Sequence, residues 1–110
     1  MTRLLEDLRR TRELVKSPNA WTQRVLARDA GGKVCDVTSS AAKSFDILGA
    51  LTRAMATQQA YGLLARIAGG NLALWNDSKT REHSHVLALF DSAIDLATRQ
   101  TPQEKEPLDD

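Results

Sequence analysis

The chain has 110 residues and a formal net charge of +1; 42% of its residues are hydrophobic and 26% are charged. This length fits one domain, and the composition argues against a disordered chain or a membrane-spanning one, since no apolar run approaches the ~20 residues that cross a bilayer. The first residues become charged within one helical turn, without the uninterrupted apolar segment of a signal peptide, so we expect a cytoplasmic protein.

The end of the chain differs in composition from the rest. Residues 101–110 hold four acidic side chains against one lysine and are poor in apolar residues, so we expect one globular domain over residues 1–100 followed by a disordered acidic tail. Without this tail the body has 14 basic (15 − 1) and 10 acidic (14 − 4) residues. A surplus of this size is too small to mark a nucleic-acid-binding protein by itself.

The first third of the chain predicts a helix and then a β-hairpin. Residues 3–16 have helical hydrophobic spacing that ends before Pro18, because proline disfavours helical geometry in the preceding residue. β-Branched and aromatic residues then lie on both sides of Gly31-Gly32, which predicts a hairpin over residues 21–37. The single cysteine, Cys35, cannot form a disulfide within the chain, and we expect a small buried residue in the second strand.

Two helices are predicted between Ala41 and Ala68, because an uninterrupted helix over this range would be unusual in so small a domain. Thr38-Ser39-Ser40 offers N-caps for the first helix, and the break falls near Thr57. Gly49 lies inside the first helix, where glycine costs ~1 kcal/mol relative to alanine, and a closely approaching backbone would explain its presence. Gly69-Gly70 ends the second helix.

A polar turn over residues 75–80 is predicted next, pinned to the core by the indole of Trp75. Thr80 is the expected N-cap of a final helix from about Arg81 to Arg99, whose continuous apolar stripe places it at the centre of the core. Together the elements predict an α+β fold: one mostly helical domain with three or four helices and one β-hairpin.

Several short motifs recur here in a familiar order and spacing: Trp21, Ala27-Arg28-Asp29, Gly32, Ala42, Phe45, Gly49-Ala50-Leu51, Trp75-Asn76-Asp77, Thr80, Val86-Leu87 and Ala93-Ile94. Through them the chain resembles a family of small bacterial and phage proteins classed as a domain of unknown function. Members of that family often have Trp-Cys where this chain has Phe45-Asp46, which argues against a required thiol at that point. The resemblance implies a compact, mostly helical domain and brings no activity, cofactor or substrate.

The predicted Trp75 turn is the first candidate for a binding site. Trp75, Asn76, Asp77 and Thr80 combine an aromatic ring with polar groups beside a helix N-terminus, where a small polar ligand, a cation or an anion could bind. The structural alternative is that Asn76 and Asp77 cap the turn and the helix while Trp75 anchors it.

The candidate residues for catalysis and for metal binding are weaker. Asp77 with His83 or His85 could serve a small hydrolase or transferase, and Cys35 could add a thiol nucleophile if the fold brought it to the same pocket. The two histidines are two residues apart, which on a helix separates them by about 200 degrees, so one is expected to face solvent and they cannot share a metal. We expect no metal and no cofactor.

A nucleic-acid accessory role is the other alternative. Arg9, Arg12, Arg24 and Arg28 could share a basic face, although acidic residues interrupt it. The two Gly-Gly pairs are read as turn and helix-stop glycines, because neither has the sequence context of a phosphate loop. By elimination the sequence favours a non-enzymatic binding or accessory module that presents a surface to a protein or a small ligand. The small residues around Gly49 and Ala50 are also compatible with a homodimer.

Overall fold

The computed structural model describes residues 3–100 and shows an α+β fold that is mostly helical, as predicted. Within this range the helices are α1 (Arg3–Leu14), α2 (Ile47–Arg53), α3 (Gln58–Ala68), α4 (Leu72–Asp77) and α5 (His83–Gln100). The strands are β1 (Ala27–Asp29) and β2 (Ala42–Phe45), and a single 3₁₀ turn covers Pro18–Ala20. The predicted tail, residues 101–110, lies outside the described residues. No helix in the described range is both long enough and apolar enough to span a membrane.

Helix α5 lies at the centre of the core, as its apolar stripe predicts. It packs against α1 and α3, and Val86 and Phe90 on its inner face are completely buried. Leu8 of α1 and Leu64 of α3 are completely buried in the same cluster. Burial of each such side chain contributes about 1.5–3 kcal/mol, so these contacts set the arrangement of the three long helices.

The two strands form one antiparallel sheet, but the second strand is not the predicted one. β1 pairs with β2 in the register Ala27↔Phe45 and Arg28↔Ser44, whereas residues 33–37 contribute only an isolated bridge, Arg28↔Val34. The glycine turn itself is present, since Gly32 has φ +88 and donates its amide to Asp29. The prediction of a hairpin confined to residues 21–37 is therefore wrong in its partner strand, and Cys35 lies half-buried outside any strand.

Helix α2 starts later than predicted because the strand β2 occupies residues that also fit a helical pattern. Asp46 is the N-cap, and its carboxylate accepts a hydrogen bond from the Gly49 amide at 2.6 Å. The prediction of a helix beginning near Ala41 with a cap at Thr38-Ser39-Ser40 is wrong for this reason. The predicted break is confirmed, with Thr57 as the N-cap of α3.

Gly49 confirms the expected close approach of another backbone. A Cβ atom built on Gly49 would lie 1.9 Å from the carbonyl oxygen of Leu26, which no side chain could tolerate. The same carbonyl accepts the amide of Asp46, so the segment leading into β1 is held directly against α2. The small-residue stretch around Gly49 and Ala50 is buried within the chain.

Helix α1 holds the link between α2 and α3 through a buried carboxylate. Asp7 is completely buried and accepts hydrogen bonds from the Thr57 amide at 2.8 Å and from Arg10 at 2.6 Å. Arg10 also donates to the carbonyl of Ala54. Burial alone would raise the pKa of Asp7, but the Thr57 amide and the guanidinium groups of Arg10 and Arg3 outweigh it and lower that pKa below its ordinary value.

Helix α3 ends as predicted, and the polar segment after it differs. Gly69 adopts the left-handed conformation at φ +94 and donates its amide to carbonyls of the last turn. Residues 75–77 belong to the short helix α4, which is capped by Asn71, and are not a free turn. Helix α5 begins at His83, and the side chain of Thr80 contacts Ser78, so the prediction that Thr80 is the N-cap is wrong.

Candidate functional site

Asn76 is a buried connection between three parts of the fold. It lies in the last turn of α4 and is 1% exposed. Its Oδ1 accepts hydrogen bonds from the indole nitrogen of Trp21 at 2.8 Å and the amide of Ile47 at 3.2 Å. Its Nδ2 donates to the carbonyl of Thr22 at 3.2 Å and to Asp77 Oδ1 at 3.0 Å. Both oxygen and nitrogen of the side-chain amide are thus occupied by the protein itself.

The residues on either side of Asn76 hold the same segment of chain. Asp77 Oδ1 accepts the backbone amide of Arg24, a residue with φ +73, at 2.8 Å. Gln23 donates to the carbonyls of Asn76 at 2.7 Å and Ser78 at 3.0 Å. These contacts fix the approach to β1, and a non-glycine residue with positive φ persists only where its surroundings hold it. Ligand binding by Asn76 and Asp77 stays a prediction.

Asp46, at the start of α2, is a buried carboxyl near this network. It is 5% exposed, and burial, together with the charge of Asp77, raises the pKa of Asp46 to about 6 against the opposing effect of the Gly49 and Leu48 amides. An acid with this pKa is ionised at neutral pH at a cost to the folded state. Asp46 has a structural role, because its carboxylate caps the N-terminus of α2.

Trp75 lines a shallow cleft of 260 Å³ between the end of α3, α4 and the first half of α5, which we call the Trp75 cleft. The guanidinium carbon of Arg81 lies 3.8 Å from the centre of the Trp75 ring, and Arg81 Nε donates to the Trp75 carbonyl at 2.8 Å. Such cation–π stacking holds the charged group over the ring face. The lining residues are Ile67, Ala68, Trp75, Arg81, His85, Ala88, Leu89 and Ser92.

Sequence reasoning singled out Trp75 as a binding residue and His85 only for the hydrolase alternative, and it missed the other residues of the cleft. Its α5 wall uses residues 85, 88, 89 and 92, a spacing of three and four that marks one face of a helix. That spacing was available in the sequence. The stacking of Arg81 on Trp75 was not, because it depends on the short helix α4 and the path of the chain after it.

The two histidines point to different partners. His83 Nε2 lies 2.7 Å from the carbonyl of Val15, which can only accept, so this nitrogen donates. His85 Nδ1 accepts the amide of Glu82 at 3.0 Å, and His85 is exposed while His83 is half-buried, which confirms that one of the two faces solvent. The neutral His85 ring must therefore carry its proton on Nε2.

The residues of the hydrolase alternative are engaged separately. The hydrogen bonds of Asp77 are to Arg24 and Asn76, and none within residues 3–100 joins Asp77, His83, His85 or Cys35 to one another. The described part of the chain contains no group of three histidine, cysteine, aspartate or glutamate side chains placed to hold a metal ion.

The arginines of the nucleic-acid alternative contact different parts of the protein. Arg12 forms an ion pair with Asp91 at 2.9 Å, which joins α1 to α5. Arg28 donates to Thr22 Oγ1 at 2.8 Å and to the carbonyls of Gln23 and Gly32. Arg9 and Arg24 are exposed. Nucleic-acid binding through these four residues stays a prediction.

A second concave surface, which we call the apolar groove, has a volume of 480 Å³. Leu26 and Tyr61 in its lining are 46% and 40% exposed, and Met55, next in the chain to the lining residue Ala56, is 76% exposed. Exposed apolar surface gathered in one place is typical of contact sites. The remaining lining residues are Leu48, Leu51, Thr52, Thr57 and Gln58.

Comparison with known proteins leaves this geometry as the main guide to function. Searches of curated proteins and of solved structures found no significant match. A family model, described as a family of unknown function (DUF6197), matches residues 1–96, which is nearly the whole chain. The chain therefore belongs to the DUF6197 family, whose function is unknown.

Proposed function

We propose that this protein is a non-enzymatic binding module that holds a small ligand in the Trp75 cleft. The observation that carries the proposal is the Arg81 guanidinium stacked 3.8 Å over the Trp75 ring, in a cleft to which residues 3–100 contribute no acidic side chain. A cation held in place beside apolar walls is what a small-molecule site needs, since a few placed polar groups fix the ligand and apolar surface supplies affinity. We expect this activity in the cytoplasm, and a bacterial or phage origin stays a prediction.

The four residues first predicted to bind would then have different roles. Trp75 contributes its ring to the cleft, while Asn76 and Asp77 fix α4, and with it the position of that ring, through their contacts with the segment before β1. Thr80 lies in the loop between α4 and Arg81 and contacts Ser78. The site thus rests on a buried hydrogen-bond network below it.

A thermal-shift screen against metabolites, divalent metals and short nucleic acids tests the proposal. A ligand at 100 times its dissociation constant adds about 2.7 kcal/mol to the free energy of unfolding. We expect a shift that is lost in Arg81→Gln and retained in Arg9→Gln, a matched change at an exposed arginine outside the cleft. A panel without any shift, or a shift that Arg81→Gln leaves intact, would contradict the proposal.

The separate engagement of the candidate catalytic residues supports a non-enzymatic role. A hydrolase using Asp77, His83 or His85 would need a base within hydrogen-bond reach of its nucleophile in some accessible state. Turnover of a hydrolase substrate panel that disappears in Asp77→Asn, in a variant that still folds, would establish that alternative instead.

Self-association through the apolar groove is a second candidate function, favoured by the exposed Leu26, Met55 and Tyr61. We propose a second copy of this chain as the occupant, since a small domain gains stability from covering such a surface. Sedimentation should show a dimer that Leu26→Asp dissociates. Leu74→Asp is the control, because Leu74 is 71% exposed and lies outside the groove. A monomeric wild type would contradict this candidate.

A further inference from the structure

We infer that the ligand class of the Trp75 cleft is a small carboxylate with an apolar body. This inference rests on the proposed function and adds the chemistry of recognition. It is built from three donors that line the cleft, from the apolar surface between them and from the absence of acidic side chains among the lining residues that the structure describes.

Arg81 provides the charged donor. Its Nε is occupied by the Trp75 carbonyl, and the stacked ring holds the guanidinium plane. Its two terminal nitrogens make no hydrogen bond or ion pair to any residue in the 3–100 range. A guanidinium presents these nitrogens as a planar fork that matches a carboxylate, and its stacking removes part of the entropy that a free arginine would lose on binding.

His85 and Ser92 provide two neutral donors on the α5 wall. Because His85 Nδ1 accepts the Glu82 amide, its proton is on Nε2, which leaves an N–H donor at the exposed edge of the ring. Ser92 lies seven residues further along the same helix face, two turns away, and its hydroxyl can donate to an oxygen anion. The cleft therefore offers several donors, and its described lining contains no carboxylate that would compete for them.

The remaining walls select the body of the ligand. Ile67, Ala68 and Leu89 are apolar, and the Trp75 ring adds an aromatic edge. A volume of 260 Å³ lies just below the range of drug-sized pockets, so the ligand is about the size of one ring with a short acidic group. A carboxylate is favoured over a phosphate ester because Arg81 is the one cationic side chain that residues 3–100 contribute to the lining, and it balances a single negative charge better than the nearly doubled charge of a phosphate.

Benzoate is the probe that tests this inference, and benzamide is its neutral counterpart of the same shape. With nine non-hydrogen atoms, benzoate should bind with a dissociation constant on the order of 1 mM. Saturation-transfer NMR should show binding of benzoate to the wild-type chain and at least tenfold weaker binding of benzamide. Equal binding of both compounds, or binding of neither, would overturn the carboxylate inference, whereas the proposed function is overturned only by the thermal-shift panel described above.

Variants locate the binding. We expect Arg81→Gln and Ser92→Ala to weaken benzoate binding at least fivefold, Arg81→Lys to weaken it less than Arg81→Gln, and Arg9→Gln to leave it unchanged. Unchanged binding in the folded Ser92→Ala and Arg81→Lys variants would overturn the inference even if Arg81→Gln failed to fold. N-Acetylphenylalanine separates two sources of the carboxylate. Binding tighter than that of benzoate indicates the carboxyl end of a polypeptide, and weaker binding indicates a free small acid.

Discussion

Replacement of Asp46 by asparagine should stabilise the protein at neutral pH and change how its stability depends on pH. Asparagine is as good an N-cap as aspartate, so the hydrogen bond to the Gly49 amide that starts α2 can be kept. The buried charge, however, is removed. Because burial raises the pKa of Asp46 from the ordinary 3.8 to about 6, ionisation of this group opposes folding.

The direction and size of this change in the free energy of unfolding follow from proton linkage. Between these two pKa values the folded state binds the proton that the unfolded state has released, so the free energy of unfolding falls as the pH rises from about 4 to 6. At 1.36 kcal/mol per pKa unit, the cost of the ionised carboxyl at pH 7 is about 3 kcal/mol. The free energy of unfolding of Asp46→Asn, relative to that of the wild type, should therefore increase by about 2–3 kcal/mol as the pH rises from about 4 to 7.

Urea unfolding of both chains at a series of pH values measures this difference. Asp36→Asn is the control of opposite sign, because hydrogen bonds from the Thr38 amide and hydroxyl lower the pKa of the exposed Asp36. That variant should lose stability relative to wild type as the pH rises. A difference between wild type and Asp46→Asn that stays constant from pH 4 to 7 would refute the reasoning about burial.

Three further predictions concern stability, each measured by the free energy of unfolding. Gly49→Ala should destabilise the chain by at least about 2 kcal/mol, because its Cβ would overlap the Leu26 carbonyl. Gly62→Ala is the control: it adds a Cβ into open space at a helical position and should stabilise the chain by up to about 1 kcal/mol. Equal effects of the two substitutions would contradict the packing argument. Asn76→Ala should cost about 3 kcal/mol, because it leaves buried donors unpaired, and a loss under 1 kcal/mol would contradict its role as a connection. Asp7→Asn should destabilise the chain at pH 7, with a loss that shrinks as the pH falls below 3.8; a loss independent of pH would show that the charge is unimportant.

Local sequence pattern predicted those parts of the fold whose cause is local. The helical spacing of α1 and α5, the break at Thr57 and the stop at Gly69 each depend on residues within one or two turns. The strand β2 does not depend on nearby residues alone. Ala42 and Phe45 fit a helical spacing as well as a strand, and pairing with β1 decides between the two. Such tertiary effects override local preference.

The candidate site likewise combines features that the local sequence predicts with features that depend on distant residues. Trp75 was recognisable as an aromatic residue among polar ones, but the burial of Asn76 depends on Trp21, 55 residues earlier in the chain. The raised pKa of Asp46 depends on its burial under α2 and on Asp77, 31 positions later. No spacing rule along the chain reports these contacts, because the loops between the elements set them.

The most direct test of the account is a map of the amide signals of the wild-type chain in an NMR titration with benzoate. If the ligand binds in the Trp75 cleft and Asn76 is structural, the largest shifts should occur at the Trp75 indole N–H, Arg81 Nε–H and the amides near His85 and Ser92. The buried side-chain amide of Asn76 should change little. Shifts centred on the Asn76 side chain or on the apolar groove, with the cleft signals unmoved, would contradict this account.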